Sequence, residues 1–137
     1  MSYISAFNSS EDKKRNLASK IYDISESVTK FFWDDAPRLG IQQREGQQDM
    51  AFDVLDAIKS GSHVVIEAGV GIGKSFAYLV PILLYNAKTF SPVVIATSTI
   101  ALQEQLLSDV ERLKKWLRIE PDLILAKGKN HIFVSKM

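Results

Sequence analysis

The sequence predicts an α/β protein built on an incomplete parallel sheet with flanking helices. Three short apolar runs, at 63–67, 93–97 and 123–126, have the length of buried strands. Segments with apolar residues at every third or fourth position separate them, as is typical of helices. Because strands that alternate with helices usually form parallel sheets with right-handed crossovers, this order of elements gives the fold class.

Two amphipathic helices are predicted ahead of the first strand. The first runs from Glu11 to Phe32, and the segment 34–40, with its acids, proline and glycine, reads as a connector. The second runs from about Arg44 to Lys59, and Gly61 is placed to end it. The apolar stripe of the first helix consists of Leu17, Ile21, Ile24, Val28 and Phe31. The inward side of the second is expected to consist of Met50, Val54, Leu55 and Ile58.

The loop after the first strand has the composition of a phosphate-binding loop. Its residues are Ala68, Gly69, Val70, Gly71, Ile72, Gly73, Lys74 and Ser75. Glycines let several backbone N–H groups approach one anion, Lys74 suits the β- and γ-phosphates, and Ser75 offers a hydroxyl to Mg²⁺. The positive end of the following helix dipole would face the same anion. The loop therefore predicts a nucleoside triphosphate site with Lys74 and Ser75 as its catalytic residues. Since Ala68 replaces the first glycine of the strict pattern, a glycine-rich turn that binds nothing is the alternative.

The remaining elements follow the same alternation. A buried helix over 76–85 should bend or break at Pro81. After the strand 93–97, Ser98 or Thr99 can cap a helix with the stripe Leu102, Leu106, Val110, Leu113 and Leu117. From 111 to 137 the chain has an excess of basic residues that could contact phosphates, although a solvated helix face explains it equally well.

Composition limits the class of protein. A length of 137 residues with 46% apolar content suits one soluble domain, and the net charge of +1 says nothing about a polyanionic partner. There is no cysteine, which excludes disulfides and thiolate-held iron–sulfur clusters within this sequence. The longest apolar stretch is too short for a membrane span and no secretory signal is visible, so we expect a cytoplasmic protein without a membrane partner.

Three sequence blocks in order resemble the N-terminal part of DinG-type helicases of superfamily two, the bacterial relatives of the XPD helicases. The first block is 44–50, which is similar to an R-x-x-Q-x-x-M segment. The second is 67–75 with the start of its helix, and it is similar to helicase motif I. The third is 94–106, which is similar to motif Ia.

The resemblance implies a P-loop NTPase of the RecA-like type, with ATP and Mg²⁺ as cofactors. Gln47 would bind adenine, and an amide suits that role because it donates and accepts hydrogen bonds at once. Arg44 is implied to be a further nucleotide-binding residue. The residues implied to contact the sugar-phosphate chain of single-stranded DNA are Thr97, Ser98, Thr99 and Gln105. Simpler roles compete: Gln47 as an exposed helix residue, Thr97 to Thr99 as helix caps, and both Trp33 and Trp116 as packing residues.

The sequence also departs from that family. Val134 stands where the first iron–sulfur cysteine would be, so no cluster is expected. No D-E-x-H segment follows motif Ia, which removes the acids that would hold Mg²⁺ and orient water. We therefore expect an N-terminal piece of a longer helicase, with residues 1–40 as helix and connector and 41–137 as the first portion of the ATP-binding domain.

That piece should not hydrolyse ATP alone, because it lacks these acids. The remaining helicase domains would be its partners in cis. Its first strand is expected to have unpaired edges. The alternative is a small non-catalytic module that binds a nucleotide or a protein partner. A nucleotide kinase or GTPase is a weaker hypothesis.

Overall fold

The structure, a computed structural model, describes residues 10–68, 74–126 and 132–136. Its helices are α1 (Ser10–Lys30), a π-helical turn (Phe31–Asp35), α2 (Ala36–Arg38), α3 (Gln47–Ser60), α4 (Lys74–Thr89) and α5 (Ile100–Leu117). Its strands are β1 (Val93–Ala96), β2 (Asp122–Ala126) and β3 (Ile132–Lys136).

The N-terminal helix is longer than the sequence predicts. It continues through the π-helical turn into α2, so the prediction of a connector over 34–40 is wrong as far as Arg38. Phe31, Phe32 and Ala36 are all buried, and the helical path keeps them in the core. Pro37 is compatible with this path because it lies in the first turn of α2, where a missing N–H costs little. Leu17, expected on the buried stripe, is 40% exposed.

The helix α3 ends as predicted. Gly61 adopts a φ of 63°, and its N–H bonds to the carbonyls of Ala57 and Ile58. Glycine reaches this left-handed conformation without the steric cost that a Cβ brings. Leu55 is fully buried, whereas Met50, Val54 and Ile58 are half-buried.

The predicted strand at 63–67 is wrong, because residues 62–68 belong to no strand in the described part of the chain. Val65 is 97% exposed and Val64 is 46% exposed. A strand gains its hydrogen bonds and much of its burial from its neighbours, and here the described strands pair with one another instead. Residues 62–68 pair with no strand in the described residues, in agreement with the expectation that this segment has unpaired edges.

The helix α4 runs through Pro81 without an interruption, so the predicted break does not occur. Pro81 is buried between Val80 and Leu83, each at most 1% exposed. Burial of an almost continuous apolar surface offsets the cost of losing the hydrogen bond that proline removes.

The sheet has three strands in the order β1-β3-β2, and β3 is antiparallel to both neighbours. Its Ile132 pairs with Ala96 of β1 and with Ala126 of β2. The predicted parallel sheet is therefore wrong in its pairing, although the strands at 93–97 and 123–126 are confirmed. The connection from β2 to β3 spans only 127–131, whereas a parallel crossover needs a dozen residues or more, so the two strands form a hairpin.

The core lies mainly between helices. The helices α1, α3 and α4 contact one another, and α5 packs on α4. Ile95 of β1 and Leu123 of β2 are packed against it. Within the described residues, no helix is long and apolar enough to cross a membrane. The division at residues 1–40 and 41–137 stays a prediction. The fully buried core residues include Ile24, Val28, Phe31, Leu55, Leu79, Val80, Leu83, Val110 and Leu113.

Candidate nucleotide-binding site

The structure places the two ends of the predicted phosphate loop. Ala68 is half-buried at the end of the irregular segment, and Lys74 is the exposed first residue of α4. Ser75 follows within the first turn of that 16-residue helix and is half-buried. The intervening residues Gly69, Val70, Gly71, Ile72 and Gly73 lie outside the described residues. Lys74 and Ser75 thus stand at a helix N-terminus, where an anion is favoured.

Ser75 has two polar neighbours that the sequence did not indicate. Its hydroxyl lies near the Tyr78 hydroxyl and near the Asp109 carboxylate of α5, where it lowers the pKa of each group. Burial raises the pKa of Tyr78, with a further contribution from the Asp109 charge. Burial also raises the pKa of Asp109, while the nearby charge of Arg112 and the neighbouring Ser75 hydroxyl act against this rise. The first turn of α4 is therefore tied to α5 by a polar contact at the edge of the core.

Arg112 completes this cluster. Its Nη1 lies 3.6 Å from Oδ1 of Asp109, and its guanidinium carbon lies 5.4 Å from the Phe76 ring centroid and 5.1 Å from that of Trp116. The Trp116 ring also packs on Phe31, at 6.4 Å between centroids. Trp116 is thus a packing residue, as predicted. Asp109 and Arg112 belong to no motif, so only the contact between α4 and α5 identifies them.

Two oxygen-bearing side chains lie near each other beside the first turn of α4. The Ser75 hydroxyl and Asp109 carboxylate are the hard ligands that Mg²⁺ prefers, so the residues present fit that cation. The described residues contain no group of three or more His, Cys, Asp or Glu side chains that could hold a metal ion. A cation here would depend on additional ligands such as phosphate oxygens and water.

A second concave region surrounds Gln47. A cavity of about 360 Å³ is lined by Phe32 and Trp33 of the π-helical turn and by residues 43–49. Gln47 is 4% exposed, so its interpretation as an ordinary exposed helix residue is wrong. Trp33, which the sequence predicts to be a packing residue, is 58% exposed.

The residues expected to contact nucleic acid lie around the N-terminus of α5. The Thr99 hydroxyl accepts a hydrogen bond of 3.2 Å from the N–H of Leu102, which confirms its capping role. The Thr97 hydroxyl donates to the Thr99 carbonyl at 3.3 Å. Ser98 and Gln105 are exposed, so both side chains are accessible to a partner.

A third cavity, of about 540 Å³, collects basic residues from distant parts of the sequence. Lys30 and Arg38 come from the N-terminal helices, and Lys115 and Arg118 from the end of α5. Lys30 is bound to Asp35 at 2.9 Å. The basic excess after residue 111 indicated half of this cluster, whereas Lys30 and Arg38 join it only through the fold.

Comparison with known proteins supplies the family. Residues 46–132 match the model of the DEAD/DEAH box helicase. The chain is 39% identical over 120 residues to the ATP-dependent helicase DinG of Mycobacterium tuberculosis, covering 83% of this chain and 18% of that protein. It is 41% identical over 93 residues to the ATP-dependent DNA helicase YoaA of Escherichia coli, covering 67% and 14%. The 3'-5' exonuclease DinG of Bacillus subtilis is 36% identical over 93 residues, with 67% and 10% covered.

No solved structure gave a significant match. The chain spans less than a fifth of the length of these relatives. The family match nevertheless covers well over half of the chain. The chain therefore belongs to the DEAD/DEAH box helicase family, and its relatives place it with the DinG-type members that the sequence predicted.

Proposed function

We propose that this chain is the nucleotide-binding N-terminal portion of a DinG-like ATP-dependent DNA helicase of the cytoplasm. The observation that carries the proposal is the position of Lys74 and Ser75 in the first turn of α4, directly after the glycine-rich loop. A helix N-terminus with an exposed ammonium and an adjacent hydroxyl suits a triphosphate. The proposed parent has the RecA-like P-loop fold that the resemblance implies.

Each residue then has a definite task. The ammonium of Lys74 binds the terminal phosphates, and Ser75 contributes its hydroxyl to the Mg²⁺ that accompanies ATP. Backbone N–H groups of 69–73 bind further phosphate oxygens. Arg44 and Gln47 bind the adenine end of the nucleotide. When bound, Mg²⁺ neutralises part of the phosphate charge.

Hydrolysis and unwinding need groups that this sequence lacks. A D-E-x-H segment is absent from the 137 residues, so nothing here replaces the acids that orient the attacking water. We infer that the remaining helicase domains supply them in cis. Residues 97–99 and Gln105 would form part of the track for single-stranded DNA.

ATP binding to the purified chain tests the proposal. Isothermal titration with and without Mg²⁺ should show binding by the wild type, and Lys74→Ala should weaken it about 10-fold or more, because a charged hydrogen bond contributes about 1.5–3 kcal/mol. Lys88→Ala is the matched control, since Lys88 is exposed on the same helix but lies in its last turn. Equal affinity of the wild type and Lys74→Ala would refute the proposal, and a preference for GTP would favour a GTPase.

A second candidate is a small non-catalytic module that binds a nucleotide or a partner as it stands. Such a module would require none of the acids of a D-E-x-H segment. An open reading frame that continues past codon 137 into a D-E-x-H segment would exclude this candidate.

A further inference from the structure

We propose that the cavity of about 540 Å³ at the C-terminal end of α5 binds phosphate groups of single-stranded DNA. We call it the basic cavity, and its charged lining residues are Lys30, Asp35, Arg38, Lys115 and Arg118. The inference rests on the proposed helicase function for the identity of the strand. Because α5 has 18 residues, about 27 Å separate this cavity from the track proposed at the other end of the helix.

The charges that line the basic cavity do not cancel. Four basic side chains and one acidic side chain line it, which leaves an excess of three positive charges. The Asp35 carboxylate is already bound by Lys30, whose ammonium lies 2.9 Å from each of its oxygens. In the described part of the chain, no ion pair joins Arg38, Lys115 or Arg118 to an acid. Three cations are therefore available for an anion from outside.

Other basic residues of α5 differ in this respect. Arg112 forms an ion pair with Asp109, and Lys114 forms ion pairs with two glutamates. Lys115 and Arg118 are both exposed, and they line the basic cavity together with the cations of the N-terminal helices. Like charges repel one another, so their convergence on one cavity lowers the stability of the chain unless an anion binds there.

The backbone of Arg118 provides an independent observation. This residue ends α5 with a φ of 55°, a left-handed conformation that costs free energy for any residue with a Cβ. Glycine is usual at such a helix end, and Gly61 has that place at the end of α3. Backbone strain of this kind is often retained where a side chain serves a function. The guanidinium that Arg118 brings to the basic cavity accounts for an arginine at this position.

The side chains of the basic cavity suit a nucleic-acid strand. Arginine presents a planar fork of N–H donors that matches phosphate oxygens, and lysine adds a compact positive charge. Leu84, Trp116 and Leu117 add apolar surface, which suits the sugars and bases of a strand better than a free inorganic anion. An acidic peptide would match the same charges, but the proposed helicase function favours DNA as the polyanion.

The affinity of the purified chain for a fluorescein-labelled oligothymidine, measured by fluorescence anisotropy at several salt concentrations, tests the inference. The double variant Arg38→Gln and Arg118→Gly should bind about 4-fold to 25-fold more weakly than the wild type at low salt, because one exposed charge contact contributes about 2-fold to 5-fold. Each phosphate contact to a single strand contributes about 0.7 to the slope of log affinity against log salt. The slope of the double variant should therefore be shallower by about 1.4.

Controls separate the loss of a charge from damage to the fold. Lys59→Gln removes an exposed cation in the last turn of α3, outside the basic cavity, and should change the affinity less than about 2-fold. Arg118→Gly alone should unfold at the same urea concentration as the wild type or a higher one, because glycine has no Cβ to strain. Arg38→Gln alone, at an exposed position, should produce about half of the slope change.

Four results would overturn the inference. A double variant with the affinity and slope of the wild type would show that the basic cavity does not bind DNA. Equal losses of affinity for oligothymidine and for ATP would show that its residues have a structural role. Tighter binding of oligoglutamate than of oligothymidine would identify an acidic protein segment as the partner. A wild-type chain that binds ATP but no oligothymidine would refute this inference and leave the proposed nucleotide site intact, since Lys74→Ala tests that site separately.

Discussion

Replacing Val65 by threonine should leave the free energy of unfolding of this chain almost unchanged. Full burial of a valine side chain contributes about 1.5–3 kcal/mol. Val65 is 97% exposed, so the burial of its side chain contributes only about 0.1 kcal/mol or less. Threonine has nearly the same shape as valine, which means that the substitution changes polarity and little else.

Val110 provides the matched comparison. It is fully buried on α5, so Val110→Thr should cost about 1–3 kcal/mol through lost apolar burial and a buried hydroxyl. Both variants carry the same chemical change, and they differ in their environment.

Urea denaturation followed by circular dichroism measures both costs. The expected result is a Val65→Thr midpoint within error of the wild type and a clearly lower midpoint for Val110→Thr, with similar slopes. A cost for Val65→Thr close to that of Val110→Thr would show that the Val65 side chain is buried, and would refute the exposed arrangement described above.

Three further predictions concern local structure. Thr99→Ala should lower stability by about 1 kcal/mol through loss of the cap on Leu102, while Ser98→Ala, next to it and exposed, should stay within about 0.5 kcal/mol; paired urea titrations decide this. Gly61→Ala should cost about 1 kcal/mol because φ is 63°, and thermal unfolding would contradict this if the midpoint were unchanged. Lys30→Ala should cost at most about 1 kcal/mol, and that cost should shrink in 1 M salt, because the Lys30 side chain is 64% exposed in its pair with Asp35.

The helices could be predicted because their signals are local. The periodic apolar residues of α5 and the cap at Thr99 lie within one stretch of sequence, and so do the residues that end α3 at Gly61. The continuation of α1 through Asp35 could not be predicted in the same way. Acids and a proline usually indicate a connector, and only the core that buries Phe32 and Ala36 outweighs them.

The pairing of the strands in the sheet could not be predicted from local sequence. Alternating strands and helices predict a parallel sheet, but pairing depends on which segments meet in space. Here the short connection between β2 and β3 favours a hairpin, and β3 then pairs with β1 as well. Nothing in the sequence of 93–97 alone distinguishes a parallel from an antiparallel neighbour.

Some residues of the candidate site could be predicted from the sequence, and others become visible only in the fold. Lys74 and Ser75 follow from the spacing of one loop, whereas Asp109 and Arg112 become visible only because α5 packs on α4. The exposure of Trp33 beside Gln47 is likewise visible only in the fold, since the sequence favours a packing role for it.

The exposed segment 62–68 connects the fold to the proposed function. An apolar run that leaves Val65 open to water, directly before a phosphate loop, is a strand sequence without neighbours. If later strands of a longer DinG-type protein cover it, Val65→Thr should cost about 1.5–3 kcal/mol in that longer protein while costing almost nothing here. The same substitution measured in both proteins would therefore show whether downstream strands cover residues 62–68. An equal, negligible cost in both would mean that 62–68 stays exposed even when those strands are present.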